Sequence, residues 1–192
     1  MPASPWGGLA MRIVESRYEG ELRNFGLAMR FIQYEARTST IRAFTGLTAD
    51  RIRKFRRRYG GNARRHRGKS PQQANGFVHS PREQREASLL GSMLHACGLL
   101  PEEPSPQALE MLTTLRNGTL LCDAYGYYLC GVHRPALTFE QAVFLARCLV
   151  SGEQLRLARC AGCGLGIVAE RFPEAPRWCE HCDPPRVHRR AH

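Results

Sequence analysis

Four cysteines near the carboxyl end form two closely spaced pairs, Cys160 with Cys163 and Cys179 with Cys182, among eight cysteines in the chain. Thiolate pairs at this spacing can close a tetrahedral shell around one zinc ion, and a shell filled by protein leaves no position for a catalytic water. The spacing therefore predicts one structural Zn²⁺. Two disulfides, or structural thiols that bind no metal, are one alternative, although disulfides fit poorly with a reducing cytosol. A second alternative is that His181, inside the second pair, replaces one cysteine as a ligand.

A dense run of basic residues at positions 51–69 could bind a polyanion. It holds ten Lys and Arg and no carboxylate, whereas the rest of the chain carries 18 basic and 17 acidic side chains. Arginine predominates, and its planar guanidinium can donate two hydrogen bonds at once to a phosphate or a base edge. Nucleic acid is the favoured ligand and an anionic membrane surface the second. The predicted DNA-binding residues are Arg51, Arg53, Lys54, Arg57, Arg58, Arg64, Arg65, Arg67 and Lys69.

The elements that must position these basic residues are two short helices around a glycine turn. Ile41 and Phe44 predict the first helix, and Thr48 is a good N-cap for the second. On the second helix the apolar residues Ile52, Phe55 and Tyr59 fall on one side and the basic residues point away. This pattern is typical of a helix-turn-helix whose second helix enters the major groove. The alternative is a solvated basic helix that merely follows another helix.

Composition and periodicity predict a mainly α fold. Hydrophobic residues make up 43% of the 192 residues, which is ordinary for a globular protein. Apolar spacing predicts helices over residues 16–37, 83–97, 105–116, 118–130 and 139–151, followed by an extended segment at 154–159. The predicted organisation is a flexible lead (1–15), a helical domain (16–152) with a helix-turn-helix-like segment (38–59) and a basic loop (60–76), a zinc-ribbon-like region (153–186) and a basic tail (187–192).

Other patterns narrow the function. The longest apolar stretch, residues 89–100, has 12 residues and is too short to cross a bilayer. The amino terminus lacks a basic residue ahead of an apolar core, so we expect no secretory signal and a cytoplasmic protein. No nucleophile–base pair, phosphate-cradling glycine loop or H-x-E zinc-deaminase signature is found, so we expect no enzyme. The remaining cysteines are predicted to be buried and inert: Cys97, Cys122, Cys130 and Cys148.

Several motifs, in the same order along the chain, resemble the FlhC family of bacterial flagellar transcription activators. They are LAMRFIQYEAR at 27–37, GLTADRIRKFRRRYG at 46–60, Gly-Lys-Ser-Pro at 68–71, SGEQLRLARC at 151–160, and the CAGC and CEHCDPP cysteine segments. The similarity covers roughly residues 20–186. The loop around 60–70 is more basic than we expect of a flagellar FlhC. In this respect the chain resembles FlhC-like activators of conjugative and integrative elements. The regulated genes therefore stay open.

The resemblance implies a DNA-binding transcription activator subunit. FlhC-type proteins are mostly helical, bind zinc near the carboxyl terminus, and work in a hetero-oligomer with FlhD-type subunits. That complex binds promoter DNA and recruits RNA polymerase, with DNA contacts shared between both subunits and the zinc region. The four cysteines that match the family's zinc ligands are Cys160, Cys163, Cys179 and Cys182. A zinc-ribbon RNA-binding protein is the alternative, although the basic run lacks an aromatic-rich strand for base stacking.

Overall fold

A computed structural model describes residues 7–60, 73–172, 178–179 and 181–182, with side chains from residue 18 onwards. The fold is mainly helical with a cysteine cluster near the carboxyl end, as predicted. The helices are α1 (Gly7–Gln33), α2 (Thr38–Thr45), α3 (Ala49–Tyr59), α4 (Pro81–Ala96), α5 (Pro106–Glu110), α6 (Leu115–Gly131) and α7 (Phe139–Ser151), with a 3₁₀ turn at Ala74–Phe77. Two strands, β1 (Leu155–Arg159) and β2 (Gly166–Glu170), form an antiparallel hairpin.

The chain divides into two compact units. The amino-terminal unit comprises Met1–Arg67 with Thr113–Thr119, and the carboxyl-terminal unit comprises Gly68–Leu112 with Leu120–His192. The amino-terminal unit therefore contains α1, α2, α3 and the first turn of α6. The cysteine cluster and the hairpin that carries it belong to the carboxyl-terminal unit.

Buried side chains of α1, α2 and α3 form the core of the amino-terminal unit. Phe31 and Phe44 meet edge to face with ring centroids 5.3 Å apart, and Phe25 meets Phe55 in the same way at 5.1 Å. Such aromatic pairs stabilise a fold by more than the apolar area that they bury. The fully buried residues of this core are Ala28, Phe31, Ile32, Ala36, Ile41 and Ile52.

Gly118 lies inside α6, and Leu27 packs against it where a larger residue would carry a side chain. A Cβ at this position would lie 2.6 Å from Cδ2 of Leu27 and 3.0 Å from Cδ1 of Phe44. The sequence prediction separated two helices at this glycine, over residues 105–116 and 118–130. That division is wrong, because the break falls at residues 111–114, where the Thr114 hydroxyl accepts a hydrogen bond from the N–H of Asn117 at 3.2 Å.

The β hairpin is held against α4 by both polar and apolar contacts. The backbone N–H of Val168 donates to the Ser88 hydroxyl at 2.9 Å, and its carbonyl accepts from the Gln84 side chain at 3.0 Å. A Cβ on Gly91 would lie 3.1 Å from side-chain atoms of both Leu157 and Val168, so α4 approaches the hairpin closely. These contacts satisfy polar groups of β2 that would otherwise be an unpaired sheet edge.

A buried carboxylate ties α4 to α6 within the carboxyl-terminal unit. Glu86 accepts hydrogen bonds from the Tyr128 hydroxyl, from the N–H of Ala136 at 2.8 Å and from Nε of Arg82 at 3.1 Å. Burial opposes ionisation of Glu86, but these donors outweigh it and lower its pKa below the ordinary value. Burial and the contact with Glu86 raise the pKa of Tyr128, which therefore stays protonated.

Other helix boundaries differ modestly from the sequence predictions. Helix α1 begins at Gly7, so residues 7–15 of the expected flexible lead are helical, in keeping with the helix propensity of their Ala, Met and Arg residues. Thr138 forms a capping box with Gln141 at the start of α7, as its position predicts.

The prediction for the single cysteines holds for Cys122 and Cys148, which are buried. It is wrong for Cys97, which is half-buried, and for Cys130, which is exposed.

Candidate functional site

The first cysteine pair lies in the tight turn that joins β1 to β2. Cys160 directly follows β1, and its N–H donates to the carbonyl of Leu165 at 2.8 Å, while the N–H of Gly164 donates to the carbonyl of Cys160 at 2.9 Å. Gly164 has a φ of 74°, which glycine adopts without steric cost. The hairpin turn therefore folds back on itself and brings the thiols of Cys160 and Cys163 together.

The second pair completes a cluster of four thiols. The four Sγ atoms of Cys160, Cys163, Cys179 and Cys182 all lie within 4.8 Å of one another, and those of Cys163 and Cys179 are 3.7 Å apart. A tetrahedral ion with metal–sulfur bonds of about 2.3 Å would hold its sulfurs about 3.8 Å apart. The longest separations need to close by only about 1 Å to reach this geometry. The cluster can therefore hold a metal ion, as the cysteine spacing predicts.

Close approach of the two pairs depends on Gly162, which leaves room for Cys182 because it has no side chain. A Cβ on Gly162 would lie 2.9 Å from Cβ and 3.0 Å from Sγ of Cys182, and 3.2 Å from the ring of Trp178. These distances are well inside ordinary van der Waals contact. Only glycine leaves room for the second cysteine pair at this position.

Hydrogen bonds lower the pKa of the Cys160 thiol. Backbone N–H groups, first that of Cys163 and then those of Cys179 and Gly162, lower the pKa of Cys160 to about 6. The N–H groups of Cys179 and Gly162 lie 3.2 and 3.4 Å from its sulfur. Contacts with the sulfurs of Cys179 and Cys163 raise the pKa of Cys182 to about 12. Because four thiolates repel one another, full deprotonation of the cluster requires a bound cation.

The structure favours neither the disulfide nor the His181 alternative for these cysteines. All eight cysteines of the chain are free, so the disulfide alternative is wrong for this structure. His181 is exposed, and the cluster consists of the four cysteines without it. The ligand set that the structure favours is therefore four sulfurs, which is the choice of zinc and of iron–sulfur chemistry.

The predicted basic helix is α3, and buried contacts fix its inner side. The Thr48 hydroxyl accepts from the N–H of Arg51 at 3.4 Å and caps the helix. Ile52 is completely buried and Phe55 packs on Phe25. Arg56, which lies beside the apolar side, donates from its guanidinium to the carbonyl of Ala36. Ile52, Phe55 and Arg56 thus anchor the inner side of α3 within the amino-terminal unit.

The outward side of α3 carries five exposed basic residues, Arg51, Arg53, Lys54, Arg57 and Arg58. Arg53 forms an ion pair with Asp50. The guanidinium of Arg51 lies 4.8 Å from the Phe25 ring centroid and 4.0 Å from the carboxylate of Glu21. Arg58 lies over the ring of Tyr59 at 5.7 Å. Sequence analysis missed the acidic partners, although the spacing of Asp50 three residues before Arg53 is a known helical pairing.

Lys54 and Arg57 differ from the other three basic residues of this face. Within the described part of the chain, neither has a hydrogen-bond or ion-pair partner. Among the described residues, therefore, neither side chain has a hydrogen bond or ion pair to give up before it meets an anionic ligand. The other predicted DNA-binding residues lie outside the described residues: Arg64, Arg65, Arg67 and Lys69.

The turn between α2 and α3 has the short, glycine-containing form that the sequence predicts. Gly46 has a φ of 66° and its N–H donates to the carbonyl of Arg42 at 2.9 Å. The Thr45 hydroxyl donates to the carbonyl of Ile41 at 2.7 Å and accepts from the N–H of Leu47 at 3.3 Å. Two helices and a tight turn are present, and their use as a DNA-binding helix-turn-helix stays a prediction.

No protein-family model matches this chain, and no curated protein matches it either. Among the helices that the structure describes, none is both long enough and apolar enough to span a membrane. Functional assignment therefore depends on the four-thiol cluster, on the basic face of α3 and on the sequence motifs.

Proposed function

We propose that this chain is an FlhC-like transcription activator subunit that binds promoter DNA in the cytoplasm. It acts in a hetero-oligomer with an FlhD-like partner and through RNA polymerase. The observation that carries the proposal is the outward side of α3, where five basic residues are exposed on a helix whose other side is anchored by Ile52 and Phe55. Such a helix suits major-groove reading, because hydrogen bonds to base edges require a backbone held in place. The sequence motifs shared with FlhC proteins support the choice of partner.

Zinc is the metal that we propose for the cysteine cluster. Four thiolates in tetrahedral geometry suit zinc, and they leave no open position for a water or a substrate. The proposed role of zinc is therefore structural. We also propose that the protein is not an enzyme. Zinc would fix the second cysteine pair against the hairpin, because so short a cysteine-rich segment cannot build its own hydrophobic core.

Duplex binding and its salt dependence test the proposal. The full chain, alone and mixed with its FlhD-like partner, is titrated into a labelled 20-base-pair duplex at several salt concentrations, with fluorescence anisotropy as the readout. Arg57→Ala should weaken binding, either by making the salt slope shallower by about one unit or by reducing discrimination between sites by about 1–3 kcal/mol. Arg23→Ala is the matched control, since Arg23 is an exposed arginine of α1 paired with Glu19. Equal effects of both substitutions would contradict the role of α3.

Genome-wide occupancy of the tagged protein then tests the activator role and identifies the target genes. Sharp peaks at promoters that vanish when the FlhD-like gene is deleted support an obligate two-subunit activator. The positions of the peaks decide between flagellar operons and transfer genes of a mobile element. Absence of peaks with a folded, metal-loaded protein would overturn the proposal.

Binding of single-stranded RNA is the second candidate function, and one exposed aromatic residue favours it. Phe172, next to β2, is 76% exposed, and the guanidinium of Arg171 lies 5.6 Å from its ring centroid. An exposed aromatic ring beside an arginine can stack a splayed base. Tighter binding of a 20-nucleotide RNA than of the duplex, lost in Phe172→Ala and kept in Arg57→Ala, would favour this function.

A further inference from the structure

A groove of about 500 Å³ lies in the carboxyl-terminal unit, between α4 and the segment that follows α6. Four of its lining residues, Arg82, Arg85, Glu86 and Leu89, project from α4, and residues 131–134 line the opposite wall. It is separate from the cysteine cluster and from α3, and neither of the functions proposed above uses it.

The rim of the groove is positively charged. Three arginines line it, Arg82, Arg85 and Arg134, against the single carboxylate of Glu86. That carboxylate already accepts hydrogen bonds from Tyr128, from the N–H of Ala136 and from Arg82, so its charge is satisfied within the protein. The net charge offered to a ligand is therefore positive, and an anionic group is its complement.

The backbone at Arg134 is held in an unusual conformation beside this rim. Arg134 has a φ of 61°, which residues other than glycine adopt rarely. Its carbonyl accepts a hydrogen bond from the guanidinium of Arg82 at 3.3 Å, which ties the two walls of the groove together. Glycine would meet the conformational requirement without strain, so the arginine at this position adds a cationic side chain that the turn itself does not need.

Apolar side chains lie between these charges. Leu89 is 37% exposed although it is a large hydrophobic residue, and Val132 lines the groove beside it. A sugar–phosphate backbone offers little apolar surface to cover them, whereas a protein segment can place an aliphatic side chain there and carboxylates on the rim. Charge and apolar surface together therefore favour a peptide over DNA.

We propose that this groove binds a short acidic segment of a partner protein, with an aliphatic side chain on Leu89 and Val132 and carboxylates at Arg85 and Arg134. The proposal is independent of DNA binding by α3, because the groove and α3 belong to different units. It holds whether the chain proves to bind DNA or RNA.

The probe is a fluorescein-labelled peptide, Glu-Glu-Leu-Glu-Leu-Glu, titrated into the full chain at low salt. Changes in the amide NMR shifts of the ¹⁵N-labelled protein locate the bound peptide even when affinity is weak. The largest changes should be at Leu89, Val132 and Arg134. Arg134→Gly removes a rim cation and relieves the backbone strain at φ 61°. It should therefore keep the fold and weaken peptide binding about threefold to fivefold. Leu89→Ser should weaken it by a similar factor.

Controls separate this groove from general electrostatic attraction. Arg147→Ala removes one charge from an exposed arginine of the same unit and should leave peptide binding unchanged. Peptides with Gln for Glu, or with Ser for Leu, should both bind more weakly. Equal affinity of wild type, Arg134→Gly and Arg147→Ala would overturn the proposal. Displacement of the peptide by a 20-base-pair duplex, with duplex binding that itself depends on Arg134 and Leu89, would assign the groove to nucleic acid and also overturn it.

Discussion

Replacing Gly162 by alanine should weaken metal binding although all four cysteines are retained. The added Cβ would lie 2.9 Å from Cβ of Cys182 and 3.2 Å from the Trp178 ring, whereas carbon atoms in contact are about 3.5–4.0 Å apart. Neither neighbour is the far end of a flexible chain, so the two cysteine pairs must separate by roughly 0.5–1 Å. Overpacking of this kind costs about 1–3 kcal/mol, which corresponds to a roughly fivefold to 150-fold loss of affinity.

Competition with a chromogenic zinc chelator measures this loss on the metal-loaded chain. Gly76→Ala is the matched control, because a Cβ at Gly76 in the same unit has no atom within 4 Å and should leave affinity unchanged. Cobalt substitution reports whether the remaining site is still a tetrahedral thiolate site. If Gly162→Ala binds zinc within about threefold of wild type, the close approach of the two cysteine pairs is not what shapes the site.

Two further predictions concern the packing of each unit. Gly118→Ala should lower the free energy of unfolding by about 1–3 kcal/mol in urea titrations, because its Cβ would lie 2.6 Å from Leu27, whereas Gly26→Ala on open helix surface should not destabilise. The pKa of Glu86 is lowered in the folded protein, so its stabilising effect is present above the ordinary value of 4.5 and is lost as the pH falls through the lower folded value. Thermal melting from about pH 6 to pH 3 should therefore show a steeper loss for wild type than for Glu86→Gln, and parallel curves would refute this account.

Much of the fold follows from local signals in the sequence. Thr48 and Thr138 are each followed by a helical apolar pattern, and each caps the helix where its position predicts. The break between α5 and α6 was predicted at Gly118 because glycine often ends a helix. Here Gly118 lies within α6 and leaves space for the Leu27 side chain. That contact joins residues far apart in sequence, and periodicity carries no information about it. Strand β2 was likewise missed, since its pairing depends on the turn at the first cysteine pair and on Ser88 and Gln84 of α4.

The four cysteines that could hold a metal ion were identifiable from spacing alone, because two Cys-x2-Cys pairs encode their own geometry. Gly162 was not, since its role is visible only when the second pair lies against it. A spacing rule specifies which atoms can bind the ion, and the packing of their neighbours decides how closely they can gather. Metal affinity should therefore respond to both.

The basic face of α3 shows the same division between composition and arrangement. Sequence analysis identified all five cations, but only the structure separates Lys54 and Arg57 from Arg53, whose partner is Asp50. Asp50 lies in the first turn of α3, where a carboxylate also favours the helix dipole, so the pair stabilises the free protein. An exposed ion pair is worth at most about 1 kcal/mol, whereas a bidentate bond to guanine contributes about 1–3 kcal/mol. In the proposed DNA complex, Arg53 would therefore exchange Asp50 for a base at the correct site and keep Asp50 elsewhere, so that this pair would add to discrimination between sites.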